Sequence, residues 1–138
     1  MMRVLWQEVR DAIHAAFADE GFGDVRAEHL AVLQYPGPDG QRPSVLAARA
    51  GMSRQAINHL IGHLEQSGYL ERYTDPADRN ARLVRLTERG RRLMGRIEAV
   101  AASVEQEWAR DIGAQRLEEL RAILTDLRAS RPRQPRRE

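Results

Sequence analysis

The stretch from Ser53 to Ser67, SRQAINHLIGHLEQS, constrains the fold more than any other part of the chain. Its apolar residues recur at helical spacing and form one stripe: Ile57, Leu60, Ile61 and Leu64. The opposite face has few formal charges and carries amides and imidazoles, namely Gln55, Asn58, His59, His63 and Gln66, together with Gly62. A face that is only solvated is more often filled with Glu and Arg pairs, whereas amides suit the base edges of a DNA major groove. The pattern therefore predicts a helix that packs on its own protein with one face and reads DNA with the other.

Length and composition limit the classes of protein to which the chain can belong. Its 138 residues fit one domain with a core of its own. Cysteine is absent, which excludes disulfides, cysteine-ligated metals and redox sensing through a thiol. No apolar run approaches the ~20 residues that span a bilayer, and the N-terminus lacks a signal-peptide pattern. We therefore expect a cytoplasmic protein that has no membrane partner.

The net charge of +2 conceals a basic middle segment. Residues 41–92 hold ten Arg and five acids, whereas residues 1–40 hold three Arg and seven acids. Residues 93–130 are acidic by two charges, and the tail 131–138 is basic by three. A local basic patch attracts polyanions whatever the total charge. The alternative is a solvated, arginine-rich surface, since the chain contains no Lys.

Helix signals precede and follow the stretch 53–67. Residues 2–18 have the apolar spacing of a helix, and Asp24 is a suitable cap for a short second helix. The prolines and glycines of residues 35–40 predict a loop, after which Ser44 is the expected N-cap of a helix over 45–50. Gly51 then ends that helix and Ser53 caps the next one, which is helix-turn-helix spacing.

The second half of the chain predicts two strands and two helices. Residues 70–74 and 81–86 alternate as strands, with a turn-rich loop over 75–80 between them. Thr87 is the expected cap of a long helix that is interrupted at 111–113 and followed by a last apolar stripe over 117–127. The tail 131–138 has two prolines and no apolar residue, so we expect it to be disordered. The predicted fold is mainly α with a small two-stranded β wing.

The chain resembles the MarR family of winged helix-turn-helix transcriptional regulators over residues 44–92. Five segments carry the resemblance: Leu46-Ala47, residues 50–57, residues 64–72, residues 75–80 (DPADRN) and residues 84–91 (VRLTERGR). The resemblance implies a single domain over 1–130, with a winged-helix DNA-binding lobe at 26–90 and dimerisation helices at 2–18 and 88–130. It also implies a homodimer that binds a pseudo-palindromic double-stranded DNA operator, acts as a repressor and is released by a small aromatic effector. The apolar stripes outside the lobe also favour a dimer, although packing within one chain is the alternative.

The resemblance also implies roles for individual residues. Arg79 corresponds to the wing arginine that enters the minor groove, with Asp75 or Asp78 as its support. The chain departs from the family pattern at Asn80, where a second Arg is usual, and at His59, where an Arg is frequent. The full set of expected DNA-binding residues is Ser53, Arg54, Gln55, Asn58, His59, Arg72, Arg79, Arg82 and Arg85.

Five residues are candidates for lining an effector pocket between the lobe and the dimer helices. Aromatic side chains on helical stripes are also common in a core, which is the alternative for these positions. The candidates are Trp6, His14, Phe17, His29 and Trp108.

The sequence predicts no enzyme, no cofactor and no metal site. His59 and His63 have the four-residue spacing of a zinc pair, but Leu60 stands where a zinc protease has Glu, and no third ligand is placed by spacing. No nucleophile arrangement or glycine-rich phosphate loop is evident. Besides the specific DNA-binding regulator, two alternatives remain: a winged helix that binds protein or RNA without specific duplex binding, and a non-specific architectural binder.

Overall fold

The computed structural model describes residues 2–37 and 39–130 and has eight elements over that part of the chain. The tail 131–138, for which disorder is the expectation, lies outside the described residues. The elements in order are α1 (Met2–Asp19), α2 (Ala27–Leu33), α3 (Pro43–Ala50), α4 (Arg54–Gln66), β1 (Leu70–Asp75), β2 (Asp78–Leu86), α5 (Glu88–Ile112) and α6 (Ala114–Ala129). The prediction of a mainly α chain with a two-stranded wing is confirmed.

The core lies beneath α4, whose inner stripe is fully enclosed. Ile57, Ile61 and Leu64 have no exposed surface, and Leu60 is also buried. Ser53 caps the helix as expected, because its hydroxyl oxygen accepts the Ala56 N–H at 3.1 Å. Gly51 ends α3 in the left-handed conformation, so the turn between the two helices has the predicted form.

Two predicted helix starts were wrong by two residues. Helix α3 begins at Pro43 with Arg42 as N-cap, not at Ser44, because proline is well tolerated at the first helical position. Helix α2 begins after Arg26, whose backbone N–H donates to Nδ1 of His29 at 3.0 Å. Asp24, the expected cap, instead accepts the Tyr69 hydroxyl at 2.5 Å.

The wing is an antiparallel hairpin formed by β1, β2 and the turn between them. Its register runs from Leu70 opposite Leu86 to Asp75 opposite Asp78, with an irregularity between Thr74 and Asp75. Strand β2 therefore starts three residues earlier than predicted, and only Pro76 and Ala77 separate the strands. A single bridge from Gln41 to Val84, with both backbone hydrogen bonds at 2.8 Å, joins the wing to the segment before α3.

The start of α5 packs against the chain that links α4 to the wing. Thr87 caps α5 through a 3.1 Å hydrogen bond from the Gly90 N–H, and its own hydroxyl donates to the Gly68 carbonyl at 2.5 Å. Gly90 faces the Tyr69 carbonyl so closely that a Cβ at Gly90 would overlap the carbonyl oxygen. This close approach requires glycine at the first turn of α5.

His29 and His63 connect α2 with the last turn of α4. Their rings are stacked with centroids 4.6 Å apart and planes 17° from parallel, and His29 is 3% exposed. Burial, and next the neighbouring His63, lower the pKa of His29, with Arg26 acting in the same direction and Glu28 and Asp24 opposing it. The imidazole of His29 must also be neutral because its Nδ1 accepts a backbone N–H, which a protonated nitrogen cannot do.

Replacement of Gly90 tests the close approach of α5 to Tyr69. Gly90→Ala should lower the free energy of unfolding by about 1–3 kcal/mol, since the added methyl group overlaps backbone that cannot move freely. Gly95→Ala, in the same helix but facing open space, should raise that energy by ~0.5–1 kcal/mol. Urea unfolding at fixed protein concentration measures both, and equal stability of the two variants would contradict the packing.

The His29 environment predicts that acid destabilises the fold. Because the folded-state pKa is lowered, the unfolded chain binds the proton more readily, so stability is full above pH ~6.5 and falls as the pH drops below it. His29→Gln should reduce the difference in unfolding free energy between pH 7.5 and pH 5.5. His59→Gln, an exposed control on α4, should keep the wild-type difference in unfolding free energy between the two pH values. An equal reduction of that difference in both variants would contradict the assignment of the acid sensitivity to His29.

Candidate nucleic-acid interface

The outer face of α4 is exposed along its length. Gln55, Asn58, His59, His63 and Gln66 are all exposed, opposite a stripe that is completely buried. Glu65, at the edge of this face, pairs with Arg72 at 3.1 Å. The helix thus offers hydrogen-bonding groups on a surface that has few charges, as its sequence predicts.

The predicted base-reading residues differ in how free their side chains are. The Asn58 amide donates to the Arg54 carbonyl at 2.9 Å, which leaves its carbonyl oxygen and its second N–H for other partners. The Ser53 hydroxyl is occupied as the N-cap of α4. Arg54 is exposed and lines a crevice of about 210 Å³ with Asn58 and the first residues of α3.

Gly62 faces open space. A Cβ built there meets nothing within 4 Å, so the lack of a side chain is not required by packing inside the protein. Glycine in the middle of a helix costs about 1 kcal/mol relative to alanine. Its position leaves the backbone of α4 open to a close approach from outside.

Three of the four predicted wing arginines have partners on the hairpin or on α4. Arg72 pairs with Glu65, and Arg82 donates to the Thr74 hydroxyl at 2.6 Å. Arg85 pairs with Glu71 at 2.6 Å and lies 4.5 Å above the Tyr73 ring. Arg79 is exposed at the start of β2, and no ion pair or hydrogen bond of its side chain is found within the described residues.

Asp75 and Asp78 bind a different arginine from the one that the sequence suggests. Nη2 of Arg42 lies 3.1 Å from Oδ2 of Asp75 and 3.5 Å from Oδ2 of Asp78. Within the described residues neither aspartate pairs with Arg79, so the support of Arg79 by Asp75 or Asp78 stays a prediction. The pairing with Arg42 has no signal in the sequence, because Arg42 precedes α3 and only the folded chain brings it to the turn.

Hydrogen bonds to its carboxylate keep Asp75 charged. Asp75 is buried, and its Oδ1 accepts the Ala77 N–H at 2.9 Å. That backbone hydrogen bond, and next the side-chain hydrogen bond from Arg42, lower the pKa of Asp75. Arg42 therefore faces a permanent negative charge at neutral pH.

A cavity of about 490 Å³ lies between α1, α2 and α5. Of the five candidate pocket residues, only Trp6 and His14 line it. Its wall is mostly apolar, and its two side chains that can carry charge are Arg10 and His14. The remaining lining residues are Val9, Ile13, Ala27, Leu30, Ala31, Gln34, Met94, Ile97 and Ala101.

The other three candidate pocket residues are absent from the lining of this cavity. Phe17 is 2% exposed and packs edge-on against Phe22, so it belongs to the core. His29 stacks on His63, and Trp108 donates its indole N–H to Glu8 at 3.3 Å. Leu30, Met94 and Ile97 supply much of its apolar wall. The sequence does not mark them as pocket residues, because their spacing is the same as that of core residues.

No helix in the described part of the chain is both long and apolar enough to cross a membrane.

Comparison with known proteins gives a match to one family model and a shared fold. The family model described as the MarR family matches residues 29–79. A crystal structure of MarR is similar with a TM-score of 0.73 and 22% identity, covering 94% of this chain and 93% of that one. A mutant of S. aureus MepR bound to an oligodeoxyribonucleotide has a TM-score of 0.66 and 20% identity, covering 94% of each chain. CouR from Rhodococcus jostii bound to p-coumaroyl-CoA has a TM-score of 0.66 and 25% identity, covering 91% of this chain and 87% of that one. Residues 29–79 therefore match the model of the MarR family, and the described chain shares the winged-helix fold of these structures.

Proposed function

We propose that this protein is a dimeric, sequence-specific regulator of transcription that represses by binding a pseudo-palindromic operator in double-stranded DNA. The observation that carries the proposal is the division of α4 into a fully buried stripe and an exposed face of amides and imidazoles. A helix held this firmly on one side can present fixed donors and acceptors to base edges on the other. The similarity to MepR, whose mutant was solved with an oligodeoxyribonucleotide, adds to this support.

In this proposal Gln55, Asn58 and His59 contact base edges in the major groove, with Ser53 and Arg54 at phosphates or base edges nearby. Gln55 and His59 are exposed, whereas Asn58 has one donor already engaged with the backbone. Because the Ser53 hydroxyl caps the helix, any DNA contact of its side chain has to coexist with that cap. A histidine at position 59 can hydrogen-bond a base but lacks the two-pronged fit of arginine to guanine.

The wing contributes charge and a minor-groove contact. Arg79 is the strongest candidate because its side chain is exposed and is not used elsewhere within the described hairpin. Arg72, Arg82 and Arg85 are proposed phosphate contacts, and each has to share or leave its present partner. We therefore expect Arg79 to contribute more per residue to DNA binding than these three.

A second copy of the chain completes the proposed DNA-binding unit. Apolar side chains remain exposed on α1, at the end of α5 and on α6, with exposures of 65% for Trp6 and 63% for Ile123. Such surface at both ends of the chain is suited to an interface between copies, which would set two recognition helices about one DNA turn apart. The other exposed apolar residues are Val4, Ile112, Leu124 and Leu127.

The 490 Å³ cavity is the proposed effector site. Its wall suits a flat apolar or aromatic molecule, and Arg10 and His14 favour a neutral or anionic group over a cation. Because it lies between α1 and α5 on one side and α2 on the other, a ligand there would alter how the DNA-binding lobe sits on the dimer helices. CouR, solved with p-coumaroyl-CoA, shares the fold and supports a ligand-responsive protein.

Replacement of Arg79 tests the role of the wing. Arg79→Ala should weaken operator binding by about tenfold without altering thermal unfolding, because the exposed side chain buries little surface in the free protein. Fluorescence anisotropy with a labelled operator fragment measures the loss, and Arg116→Ala on α6 is the matched control. An affinity equal to that of the control would remove the wing from the mechanism.

Occlusion of the cavity tests the effector site. An aromatic carboxylate such as 2-naphthoate should raise the melting temperature of the wild type, since it stabilises the folded state that binds it. Ala101→Phe should fill the cavity and abolish that rise, whereas Ala102→Phe, at an exposed position outside the cavity, should preserve it. A rise that persists undiminished in Ala101→Phe would place the ligand elsewhere.

A further inference from the structure

Arg42, which the sequence alone does not mark as a DNA-binding residue, joins two parts of the proposed DNA-binding surface. It is the N-cap of α3, and its guanidinium bridges the carboxylates of Asp75 and Asp78 at the two sides of the wing turn. The Asp75 side chain is 12% exposed and that of Arg42 is 49% exposed. The pair with Asp75 is therefore partly shielded from water, where a charge-assisted hydrogen bond is stronger than at an open surface.

The two aspartates also hold the turn that carries Arg79. Asp75 accepts the Ala77 N–H at 2.9 Å, and Asp78 accepts the Asn80 N–H at 3.1 Å. Arg79 lies between Asp78 and Asn80 in the chain. A guanidinium that fixes both carboxylates therefore fixes the backbone on both sides of the Arg79 side chain.

At its other end, Arg42 belongs to the helix-turn-helix. The next two residues, Pro43 and Ser44, line the same crevice as Arg54 and Asn58 of α4. The preceding residue, Gln41, makes two backbone hydrogen bonds to Val84 in the wing. Arg42 thus lies on the short path that connects the wing turn to the first turn of the recognition helix.

We propose that Arg42 is a positioning residue for DNA recognition: it holds the wing turn so that Arg79 has a fixed place relative to α4. This inference rests on the proposed function, because a fixed place matters only if helix and wing engage one duplex. Arg42 also lies between two carboxylates that would otherwise repel each other, and so it keeps the two sides of the turn together. Its effect on DNA binding is exerted through Arg79.

A double-mutant cycle on the full chain separates this role from direct phosphate contact. Arg42→Ala should weaken operator binding about tenfold when Arg79 is present and less than about twofold in the Arg79→Ala background, since coupled residues are not additive. Equal losses in both backgrounds would make Arg42 an independent DNA contact and overturn the inference. Absence of loss when Arg79 is present would also overturn it.

The experiments distinguish a failure of the proposed function from a failure of this inference. If the wild type binds no duplex at all, the proposed function is wrong and the inference falls with it. If the wild type binds and Arg79→Ala weakens binding, only the behaviour of the Arg42 variants decides the inference. Arg42→Lys should give an intermediate loss, because an ammonium cannot make the same planar bridge to two carboxylates.

A second measurement requires no DNA. The chain has no cysteine, so a nitroxide attached at Ala77→Cys, an exposed site on the wing turn, reports that turn alone. Arg42→Ala should increase the mobility of the nitroxide in its electron paramagnetic resonance spectrum, whereas Arg116→Ala should not change it. Circular dichroism confirms that each variant is folded. An unchanged electron paramagnetic resonance spectrum in folded Arg42→Ala would overturn the positioning role. If Arg42→Ala does not fold, Arg42→Lys is compared in its place.

Discussion

The packing of α5 on the Tyr69 backbone is the contact on which the arrangement of the lobe depends. The Tyr69 carbonyl accepts the Thr87 N–H at 3.0 Å and lies directly against Gly90, while Arg89 donates to the Ser67 carbonyl at 2.9 Å and to the Tyr69 hydroxyl at 3.0 Å. The hairpin leaves α4 and returns to α5 at this one place. Helix α4, the wing and α5 are therefore all positioned relative to the backbone of Tyr69. Tyr69 itself is held neutral, because burial, and next its hydrogen bond to Asp24, raise its pKa to about 12.

Charge pairing within the folded chain determines which arginines remain available to bind a polyanion. Most arginines of the basic segment have carboxylates or carbonyls as partners, and exposed pairs of this kind contribute little to stability. Their main consequence is to limit which side chains can meet a polyanion without first losing a partner. Arg49, Arg54 and Arg79 need no such exchange within the described residues, and they lie at the end of α3, at the start of α4 and at the wing turn. The unpaired arginines therefore mark the part of the basic segment that can bind a polyanion without breaking an existing contact.

The sequence predicted local features well and long-range ones poorly. The stripe of α4, the caps Ser53 and Thr87 and the two strands follow from spacing and turn chemistry, which act within a few residues. The pairing of Arg42 with Asp75, which are 33 positions apart, depends on how the wing folds back on α3 and has no signal in spacing. The sequence predicts His29 and Phe17 as pocket residues because an aromatic on a helical stripe gives the same pattern whether it faces a cavity or the core.

The central claim is that two copies of this chain together present helix and wing to one DNA duplex. Sedimentation velocity with a labelled duplex of about two helical turns tests it directly, since it reports both stoichiometry and affinity. The account predicts two chains per duplex at low salt and an affinity that falls steeply and log-linearly as salt rises, because phosphates are being neutralised. One chain per duplex would contradict the claim that two copies bind together. An affinity that does not change with salt would contradict phosphate neutralisation and favour a winged helix whose partner is not duplex DNA.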